Sequence, residues 1–470
     1  MRGPASPAPP SITAVPLLQP VSADASALLA LHAAFPDRYP ALFESAAAGN
    51  ANNRFDILCA HPQARLTLSR DGVLSGATAA LDNRFLPALD RWWQQERVQH
   101  THSELPFTGG WLLYLGYELA GQIEPRLRLP APAIGPIASA IRIPAAIVHE
   151  KNSGRSWLVA EPAFQPLIPQ MAEDLAHVPA VVTPSVPLVV GAVTEDDPAE
   201  FLHSVERALE YIAAGDIYQA NLSRAWQARL SRGVQPHHLY QRLRQTNPAP
   251  FSGIARVDAI TVVSSSPERL VSVRDGTVST RPIAGTRPRG QTADADIDLA
   301  RELHAHPKER AEHVMLIDLE RNDLGRICEA GTVKVDEFMI VESYAHVHHI
   351  VSNVSGKLRA TATPGEVLAA VFPGGTITGC PKVRCMEVIA EFEGAARGAY
   401  TGSFGYLNRD GSMDLNILIR SLELAGEQLT LRAGAGIVAD SIPDRELAET
   451  RAKARGVLRA LGSEQAGVRK

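Results

Sequence analysis

The stretch AITVVSSSPERLVSVRDGTVST, residues 259–280, decides the fold class of this chain. It holds two strand-like runs, AITVVSS and RLVSVRDGTVST, both rich in the β-branched residues Val and Thr. More strand-like runs follow, interleaved with helical segments: GTVKVDEFMIVES, AYTGSFGYL, LNILIRSLEL and QLTLRAGAGIVAD. The pattern predicts an α+β fold with mostly antiparallel strands.

The remainder of the chain predicts a tail, an N-terminal region and a linker. Residues 1–20 are rich in Pro and Ala and are expected to form a flexible tail. Residues 21–165 combine a helical segment, SADASALLALHAAF, with strand-like runs such as RFDILCAHP and ARLTLS. The Pro-punctuated segment 166–191 is expected to be a linker, which leaves 192–465 as the catalytic region.

Composition excludes several classes of protein. The net charge of −5 gives no general attraction to nucleic acid. No apolar run approaches the length of a membrane span, and the N-terminus lacks the apolar segment of a signal peptide. The four cysteines are too few and too scattered for a disulfide framework. We therefore expect a cytoplasmic protein that binds neither nucleic acid nor membrane.

Two predicted helices each carry a pair of carboxylates on one face. Glu309 and Glu312 lie in HPKERAEHVMLIDLERND, while Glu446 and Glu449 lie in DSIPDRELAETRAKARGVLRAL, with Lys453 one turn beyond. Oxygen ligands without a Cys or His set indicate a hard cation, and Mg²⁺ commonly takes one or two carboxylates plus substrate oxygens. Each pair taken alone is also typical of a solvated helix surface.

Both helices lie beside Gly-rich segments that are predicted to be turns, FPGGTITGCPK (372–382) and AGAGIVADS (433–441). Such a turn, where it enters a helix, exposes backbone N–H groups to an anion. Ser441 and Asp444 resemble a capping box for the second helix. Neither segment matches a nucleotide-binding fingerprint. Arg420, at the end of the strand-like NILIR, is a candidate for a carboxylate clamp or for a surface ion pair.

Two more segments contain candidate binding or proton-donating residues. RPIAGTRPRG, residues 281–290, gathers three Arg around Ala284, which fits close approach to an anionic ligand or a basic surface loop. In AHVHHI, strand alternation places His346 and His348 on one face and His349 on the other. One face is expected to be structural and the other to offer a proton donor. A zinc site is disfavoured because no HExxH spacing occurs.

Ten motifs in order give the chain a close resemblance to a known family. The motifs are GDIYQANLSR, SSPERL, RPIAGT, KERAEHVMLIDLERNDLGR, HVHHIVS, FPGGTITGCPK, TGSFGY, ILIR, GAGIVADS and ExxExxxK. They resemble the chorismate-utilising enzymes, specifically component I of aminodeoxychorismate synthase and of anthranilate synthase. The resemblance implies two antiparallel β-sheets packed as a sandwich with helices outside. It also implies that residues 21–165 resemble the N-terminal domain of anthranilate synthase component I.

The resemblance further implies roles for individual residues. Glu312 and Glu449 resemble direct Mg²⁺ ligands, with Glu309 and Glu446 behind them. Glu268 resembles the general acid that protonates the departing 4-hydroxyl group of chorismate, which requires burial to raise its pKa. The implied substrate-binding residues are Arg420, Tyr400, Thr378, Gly379, Gly434, Ala435, Gly436 and Gln219. The residues implied to lie near the reacting groups are His349, Lys453, Ala284 and Thr286.

The resemblance also bears on the nucleophile and the product. Isochorismate-forming relatives carry a water-activating Lys where this chain has Gln219, which favours ammonia, supplied by a glutamine amidotransferase subunit (component II). Many aminodeoxychorismate synthases have a nucleophilic Lys where this chain has Ala284, as anthranilate synthases do. RFDILCAHP, YQANL and NPAPFSG nevertheless resemble the aminodeoxychorismate branch. The expected product is 4-amino-4-deoxychorismate, for para-aminobenzoate and folate synthesis, and the alternative is anthranilate, for tryptophan synthesis.

One alternative is not an enzyme. Glu44 and Ser45, in PALFESAA (40–47), resemble a family segment that binds tryptophan as an inhibitor or as a structural ligand. The chain would then be a ligand-sensing pseudo-enzyme. The presence of all the implied catalytic residues argues against that alternative.

Overall fold

The structure, a computed structural model, describes residues 15–45, 54–99, 104–343 and 347–462. Its helices are α1 (Ala25–Ala34), α2 (Phe85–Glu96), α3 (Ala120–Ile123), α4 (Leu167–His177), α5 (Pro198–Ala213), α6 (Pro236–Thr246), α7 (Ala293–Ala305), α8 (Pro307–Gly325), α9 (Pro364–Val371), α10 (Lys382–Glu393) and α11 (Pro443–Ala460). None of the helices in the described ranges has both the length and the apolarity needed to cross a membrane.

The strands of the first half are β1 (Leu17–Val21), β2 (Ala41–Glu44), β3 (Phe55–Ala60), β4 (Arg65–Leu68), β5 (Leu74–Gly76), β6 (Gly110–Leu115), β7 (Ala138–Ile143), β8 (Ala145–Glu150), β9 (Arg155–Ala160), β10 (Val189–Glu195) and β11 (Gln219–Leu230). Those of the second half are β12 (Phe251–Val257), β13 (Ile260–Ser266), β14 (Arg269–Arg274), β15 (Thr277–Thr280), β16 (Ile283–Pro288), β17 (Lys334–Ser343), β18 (Val347–Lys357), β19 (Gly379–Cys380), β20 (Ser403–Asn408), β21 (Met413–Asn416), β22 (Ser421–Ala425) and β23 (Gln428–Ile437).

These strands build two antiparallel sheets. The first sheet has the order β1-β9-β8-β3-β2-β12-β13-β22-β23-β11-β10, with β19 paired to β11. The second has the order β16-β18-β15-β14-β21-β20-β6-β7-β4-β5, with β17 paired to β18. The predicted α+β class with antiparallel strands is confirmed.

The sheets pack face to face, and strand alternation makes this possible. Ile57 of β3 and Leu112 of β6 point into a shared core between the two sheets. Their neighbours in sequence point the other way: Leu58 packs under helices α1, α6 and α11, and Leu113 packs under α2, α8 and α9. The predicted sandwich with helices outside is therefore also confirmed.

The N-terminal and catalytic regions share both sheets. Strand β2 pairs with β12, and β6 pairs with β20, so each sheet runs without interruption from one region into the other. The two regions therefore form one folded unit, and the segment expected to be a linker connects them within it.

Two of the predicted segment boundaries differ from the structure. Strand β1 begins at Leu17 and pairs with β9, within the expected tail of residues 1–20, whose first 14 residues lie outside the described ranges, as do residues 463–465. The expected linker, 166–191, contains α4 and the start of β10. Helix α4 forms because Ile168 and Met171, one turn apart, bury their side chains against the first sheet.

Candidate active site

Glu268 and Arg420 lie at two neighbouring points where the chain crosses between the sheets. Glu268 stands between β13 of the first sheet and β14 of the second, and Arg420 stands between β21 of the second and β22 of the first. Because β13 pairs with β22 and β14 pairs with β21, the two crossings run side by side. The N–H of Ile417 donates to the Glu268 carbonyl at 3.0 Å, and the N–H of Ser265 donates to the Arg420 carbonyl at 3.2 Å. Topology thus brings together two residues far apart in sequence.

The carboxyl group of Glu268 is buried and accepts two hydrogen bonds. The Thr376 hydroxyl donates to Oε1 at 2.7 Å, and the backbone N–H of Ile283 also donates to the carboxyl group. Burial raises the pKa of Glu268 to about 7, against the opposing effect of these hydrogen bonds and of the positive charges on Lys453 and Arg420. The group therefore carries a proton for part of the time at neutral pH, as a general acid must.

The guanidinium of Arg420 has no hydrogen-bond or ion-pair partner within the described residues. Burial lowers its pKa, and the Glu268 carboxyl opposes that effect. Its backbone is left-handed, with φ of 51°, a conformation that costs a residue with a Cβ roughly 1–3 kcal/mol. An unpaired guanidinium held on strained backbone fits a residue whose partner is a ligand carboxylate.

The segment Gly434–Gly436 lies in the second half of strand β23, so the prediction of a strand in QLTLRAGAGIVAD is confirmed here and the prediction of a turn is wrong. In an antiparallel pair a residue directs both backbone groups toward the partner strand or both away from it. Opposite β23, the N–H of Ser223 donates to Glu393 and the N–H of Asn221 donates to Thr378, so both point away. By the same register, Gly434 and Gly436 direct their N–H groups away from β11, toward the carboxylate-bearing helices. Ala435, between them, pairs with Leu222 and buries its side chain in the core.

Close neighbours explain why these positions are glycine. A Cβ on Gly434 would lie 2.7 Å from the Tyr400 hydroxyl and 2.6 Å from the Leu222 carbonyl oxygen. A Cβ on Gly436 would lie 2.5 Å from Nε2 of Gln219. Tyr400 and Gln219 therefore lie against the same face of β23.

The carboxylates of helices α8 and α11 approach β23 near these glycines. Gln219 Nε2 donates to Oε1 of Glu312 at 3.0 Å, and that oxygen is 3.8 Å from the Cβ position of Gly436. From α11, Lys453 Nζ lies 2.8 Å from Glu449 and donates to the Gly434 carbonyl at 3.0 Å. The structure thus places Glu312, Glu449 and Lys453 beside one strand, while the expected metal-bridging distance between the two glutamates stays a prediction.

The other carboxylate of each helix has different surroundings. Glu309 accepts from Arg287 at 3.2 Å and lies against Gly285, while Glu446 is buried. The predicted capping box on α11 is wrong: the helix begins after Ile442 without a side-chain cap, and the Ser441 hydroxyl accepts from the N–H of Val438 instead.

The donor set suits a hard cation. Glu312 and Glu449 offer carboxylate oxygens, the ligands that Mg²⁺ takes, while His313, next to Glu312 in sequence, is buried and hydrogen-bonded to Ser352. Across the described residues, no three side chains of His, Cys, Asp or Glu form a preformed metal centre. A cation bound to these two carboxylates would complete its coordination with water and substrate oxygens.

The two histidines of β18 face opposite sides, as predicted. His348 is hydrogen-bonded to Ser343 and to Asp296, which makes it structural, while His346 lies outside the described residues. His349 faces the site, and burial, with the charge of Arg420, lowers its pKa to about 3. The imidazole is therefore neutral at physiological pH, and any proton it donates comes from the neutral ring.

Strand β16 carries Ala284 beside the general-acid candidate. Ala284 is buried and pairs with Ile350, while the preceding residue, Ile283, donates its N–H to Glu268. Gly285 has φ of 69° and forms a bulge, after which the backbone of Thr286 pairs with His349. The motif RPIAGT therefore forms one wall next to Glu268.

The arginines of RPIAGTRPRG pair within the protein. Arg281 lies 2.5 Å from Glu342, Arg287 lies 3.2 Å from Glu302, and Arg289 lies 2.6 Å from Asp296. The expectation that this segment approaches an anion through its arginines is not borne out, because helix α7 and strand β17 supply the carboxylates.

In the turn before α10, Thr378 and Gly379 contact other parts of the protein, and their implied role in substrate binding stays a prediction. The Thr378 hydroxyl donates to the Gly374 carbonyl, and Gly379, with φ of 134°, allows β19 to pack against Gln219. These two residues shape the turn. Thr376, two positions earlier, is the one that touches Glu268, and sequence reasoning missed it although it lies within the motif.

Glu44 and Ser45 lie away from this site, at a second cavity between the sheets. That cavity has a volume of about 930 Å³ and is lined by both residues together with Phe43, Phe251 and Tyr406. Glu44 accepts from the Tyr240 hydroxyl and, at 3.0 Å, from Arg244; burial, together with the neighbouring Asp56, raises its pKa. The remaining predicted site residues do not line this cavity.

Comparison with known proteins agrees with the geometry. The chain is 43% identical over 363 residues to an "Anthranilate synthase component I-like protein" of Synechocystis, covering 76% of this chain and 73% of that one. It is 40% identical over 389 residues to "Aminodeoxychorismate synthase component 1" of Bacillus subtilis, covering 80% and 82%.

A solved structure of a synthase component I is also similar to this chain. The crystal structure of anthranilate synthase component I from Streptococcus pneumoniae superposes with a TM-score of 0.77 at 33% identity, covering 87% of this chain and 93% of that one. The family model described as chorismate binding enzyme matches residues 40–459. The chain therefore belongs to the chorismate-binding enzyme family.

Proposed function

We propose that this enzyme aminates chorismate with ammonia to give 4-amino-4-deoxychorismate, as component I of a two-subunit synthase. The observation that carries the proposal is the side-by-side placement of Glu268, whose pKa is about 7, and the unpaired guanidinium of Arg420. One group can protonate a leaving hydroxyl while the other holds a substrate carboxylate.

Binding uses the groups around β23. Arg420 and the N–H groups of Gly434 and Gly436, which point away from β11, would hold one carboxylate of chorismate, with the Tyr400 hydroxyl beside Gly434. Glu312 and Glu449 would hold Mg²⁺, which when bound supplies positive charge for the other carboxylate. Lys453 balances the charge of Glu449.

The proton that leaves with the 4-hydroxyl comes from Glu268. In this scheme ammonia adds at C2, the C4–O bond breaks, and the Glu268 proton departs in the water that forms. The new ammonium group then loses a proton, which restores the acid form of Glu268. A second ammonia adding at C4 expels the C2 amine, so that one ammonia is consumed and one water released overall.

Ammonia fits the site better than water as the nucleophile. Activation of water needs a base, and Gln219 offers a neutral amide at that place, with its Nε2 donating to Glu312. Ammonia needs no such base. The names of the relatives, component I of two-component synthases, support a glutamine amidotransferase partner as its source.

Anthranilate synthesis is the second candidate, and a specific observation favours it. Ala284 lies beside the hydrogen bond between Ile283 and Glu268, so the residue at this position is not a lysine that could act as a nucleophile. Two of the three motifs that favour the aminodeoxychorismate branch, around Phe55 and Phe251, line the second cavity. The third, YQANL, contains Gln219 in the site itself, and we retain 4-amino-4-deoxychorismate as the product.

Product identification tests the proposal. The chain is incubated with chorismate, ammonium and Mg²⁺, and products are separated before and after addition of aminodeoxychorismate lyase. We expect a product that the lyase converts to para-aminobenzoate, and loss of turnover when Mg²⁺ is chelated. Anthranilate as the main product would select the second candidate, and isochorismate would overturn amination.

A further inference from the structure

A buried cluster of three charged side chains lies beside the glycines of β23, and the proposed mechanism does not use it. The carboxyl group of Glu393, at the end of α10, pairs with Arg397 at 2.6 Å and with Arg432 at 2.9 Å. All three side chains are buried. Burial opposes the ionisation of Glu393, but the two arginines hold its pKa below the ordinary value. Because arginine stays protonated in proteins, the cluster carries one net positive charge.

The other hydrogen bonds of the two guanidiniums go to neutral groups. Arg397 donates to the carbonyl of Asn221 at 2.6 Å and to that of Ile377 at 3.2 Å. Arg432 donates to the Ser223 hydroxyl at 3.1 Å. None of these acceptors is ionised, so the second positive charge has no counter-ion within the cluster.

Two further carboxyl groups lie near the cluster, and both bind backbone N–H groups. Glu118 accepts from the N–H of Arg397 at 2.7 Å, and Glu423 accepts from the N–H of Ala399 at 2.8 Å. Burial raises the pKa of both carboxyl groups, to about 7 for Glu118. This rise favours their neutral forms, which do not offset the charge of the arginines.

The cluster approaches the proposed carboxylate site along two routes. Arg432 and Gly434 are two residues apart on β23, so they share a face of the strand and their Cα atoms lie roughly 7 Å apart. The Arg397 guanidinium lies 5.4 Å from the centre of the Tyr400 ring. The hydroxyl of that ring is 2.7 Å from the Cβ position of Gly434. The charge is buried, so salt screens it only weakly.

We propose that Arg397 and Arg432 are positioning residues whose net positive charge attracts the carboxylate of chorismate to Gly434 and Gly436 without touching it. The inference rests on the proposed function, which places a substrate carboxylate there. Glu393 sets the strength of the attraction, because it neutralises one of the two guanidiniums. At an effective dielectric constant of about 20, one unit charge about 10 Å from another changes affinity roughly tenfold.

Chorismate affinity, measured without ammonium, tests the proposal. Titration calorimetry with Mg²⁺ present gives the Kd in the Glu268→Gln background, where we expect too little turnover to consume the ligand. In Arg432→Gln the remaining pair of Arg397 and Glu393 is neutral, and we expect the Kd to rise about tenfold. Arg432→Lys keeps the charge and should restore most of the affinity. In Glu393→Gln the cluster gains one positive charge, and the Kd should fall.

The direction of the Glu393→Gln effect separates an electrostatic role from a structural one, because a merely structural cluster would lose affinity in either variant. Arg142→Gln is the matched control. Arg142 is buried and pairs with Glu161 at 2.6 Å, but it lies on β7 of the second sheet. This variant should lower the melting temperature and leave the Kd unchanged. If Glu393→Gln fails to fold, the comparison of Arg432→Gln with Arg432→Lys decides.

The result does not depend on which product the enzyme makes. If the parent forms isochorismate or anthranilate, the proposed function fails, yet the affinities still decide the inference. An unchanged Kd in Arg432→Gln would overturn it, even with amination intact. Equal losses of affinity in Arg432→Gln and Arg432→Lys, or a Kd that rises in Glu393→Gln, would show a structural role and would overturn it as well.

Discussion

At the scale of single residues, two departures from ordinary side-chain behaviour lie next to each other. Glu268 is an acid that burial brings to a pKa of about 7, and Arg420 is a cation without a partner among the described residues. The two groups do not form an ion pair, although an ion pair would relieve both. The fold therefore leaves each group available to contact a ligand instead of pairing it with the other. This is the arrangement expected of a catalytic site.

Replacing Glu268 by Gln should lower the activity of the enzyme without lowering its stability. We expect a 10²- to 10⁴-fold loss in kcat, the usual contribution of a general acid. The melting temperature at pH 8.5 should be equal to or higher than that of the parent. Since burial raises the folded-state pKa, ionised Glu268 destabilises the folded state above that pKa by about 3 kcal/mol, and Gln removes this penalty. A calorimetric scan and a chorismate consumption assay measure both quantities, and retained activity would remove Glu268 from the mechanism.

Replacing Arg420 by Lys keeps the charge but loses the planar fork of donors. We expect kcat/KM for chorismate to fall about 10- to 100-fold, corresponding to the loss of one charged hydrogen bond. The melting temperature should not fall, because the guanidinium contributes no described ion pair. Arg384, which is paired with Glu387 on α10, offers a matched control: its change to Lys should leave kcat/KM unaltered. An unaltered kcat/KM in the Arg420 variant would contradict its role in binding.

At the scale of elements, strand β23 shows what sequence patterns miss. The sequence suggested both a strand, QLTLRAGAGIVAD, and a turn at 433–441, the turn because Gly is depleted in strands. In the structure, the Tyr400 hydroxyl and the Gln219 amide occupy the space beside Gly434 and Gly436, so tertiary contacts select glycine there. Helices α8 and α11 were predictable, because Pro307 and Pro443 lie in their first turns.

The two glycines of β23 should respond differently to Ala. In Gly434→Ala the new Cβ meets the Leu222 carbonyl at 2.6 Å, which is backbone and cannot move cheaply, so we expect a stability loss of about 1–3 kcal/mol. In Gly436→Ala the close contact is the Gln219 side chain, which can turn away from Glu312. That variant should keep its melting temperature and lose affinity for substrate. Equal melting temperatures for the two variants would contradict the assigned register.

The sequence did not predict which residues of different elements contact each other. The hydrogen bond from Thr376 to Glu268 joins residues 108 positions apart, and nothing local in either motif predicts it. Glu320 lies in a stretch, LERND, that is typical of an exposed helix surface, yet the turn at Gly375 covers it. Residue types and spacing predicted which residues belong to the candidate site. The burial of these residues and their hydrogen-bond partners followed only from the way the two sheets pack.

At the scale of the whole molecule, the sheets join regions that the sequence separated. A catalytic fragment beginning at residue 189 would lose β2 and β6, which pair with β12 and β20, and would expose the core between the sheets. We expect this fragment to be insoluble or unfolded, whereas the full chain should unfold in one cooperative transition. Circular dichroism and calorimetry measure both. A stably folded fragment would show that the two regions are independent domains.

Nitrogen transfer to chorismate is the central claim, and one isotope measurement tests it most directly. The full chain is incubated with chorismate, Mg²⁺ and ¹⁵N-labelled ammonium, and the product mass is determined against unlabelled ammonium. The account predicts a product that carries one ¹⁵N in place of the 4-hydroxyl group, formed in the parent and abolished in Glu268→Gln. A product without nitrogen, or chorismate left unconsumed by the parent, would contradict it.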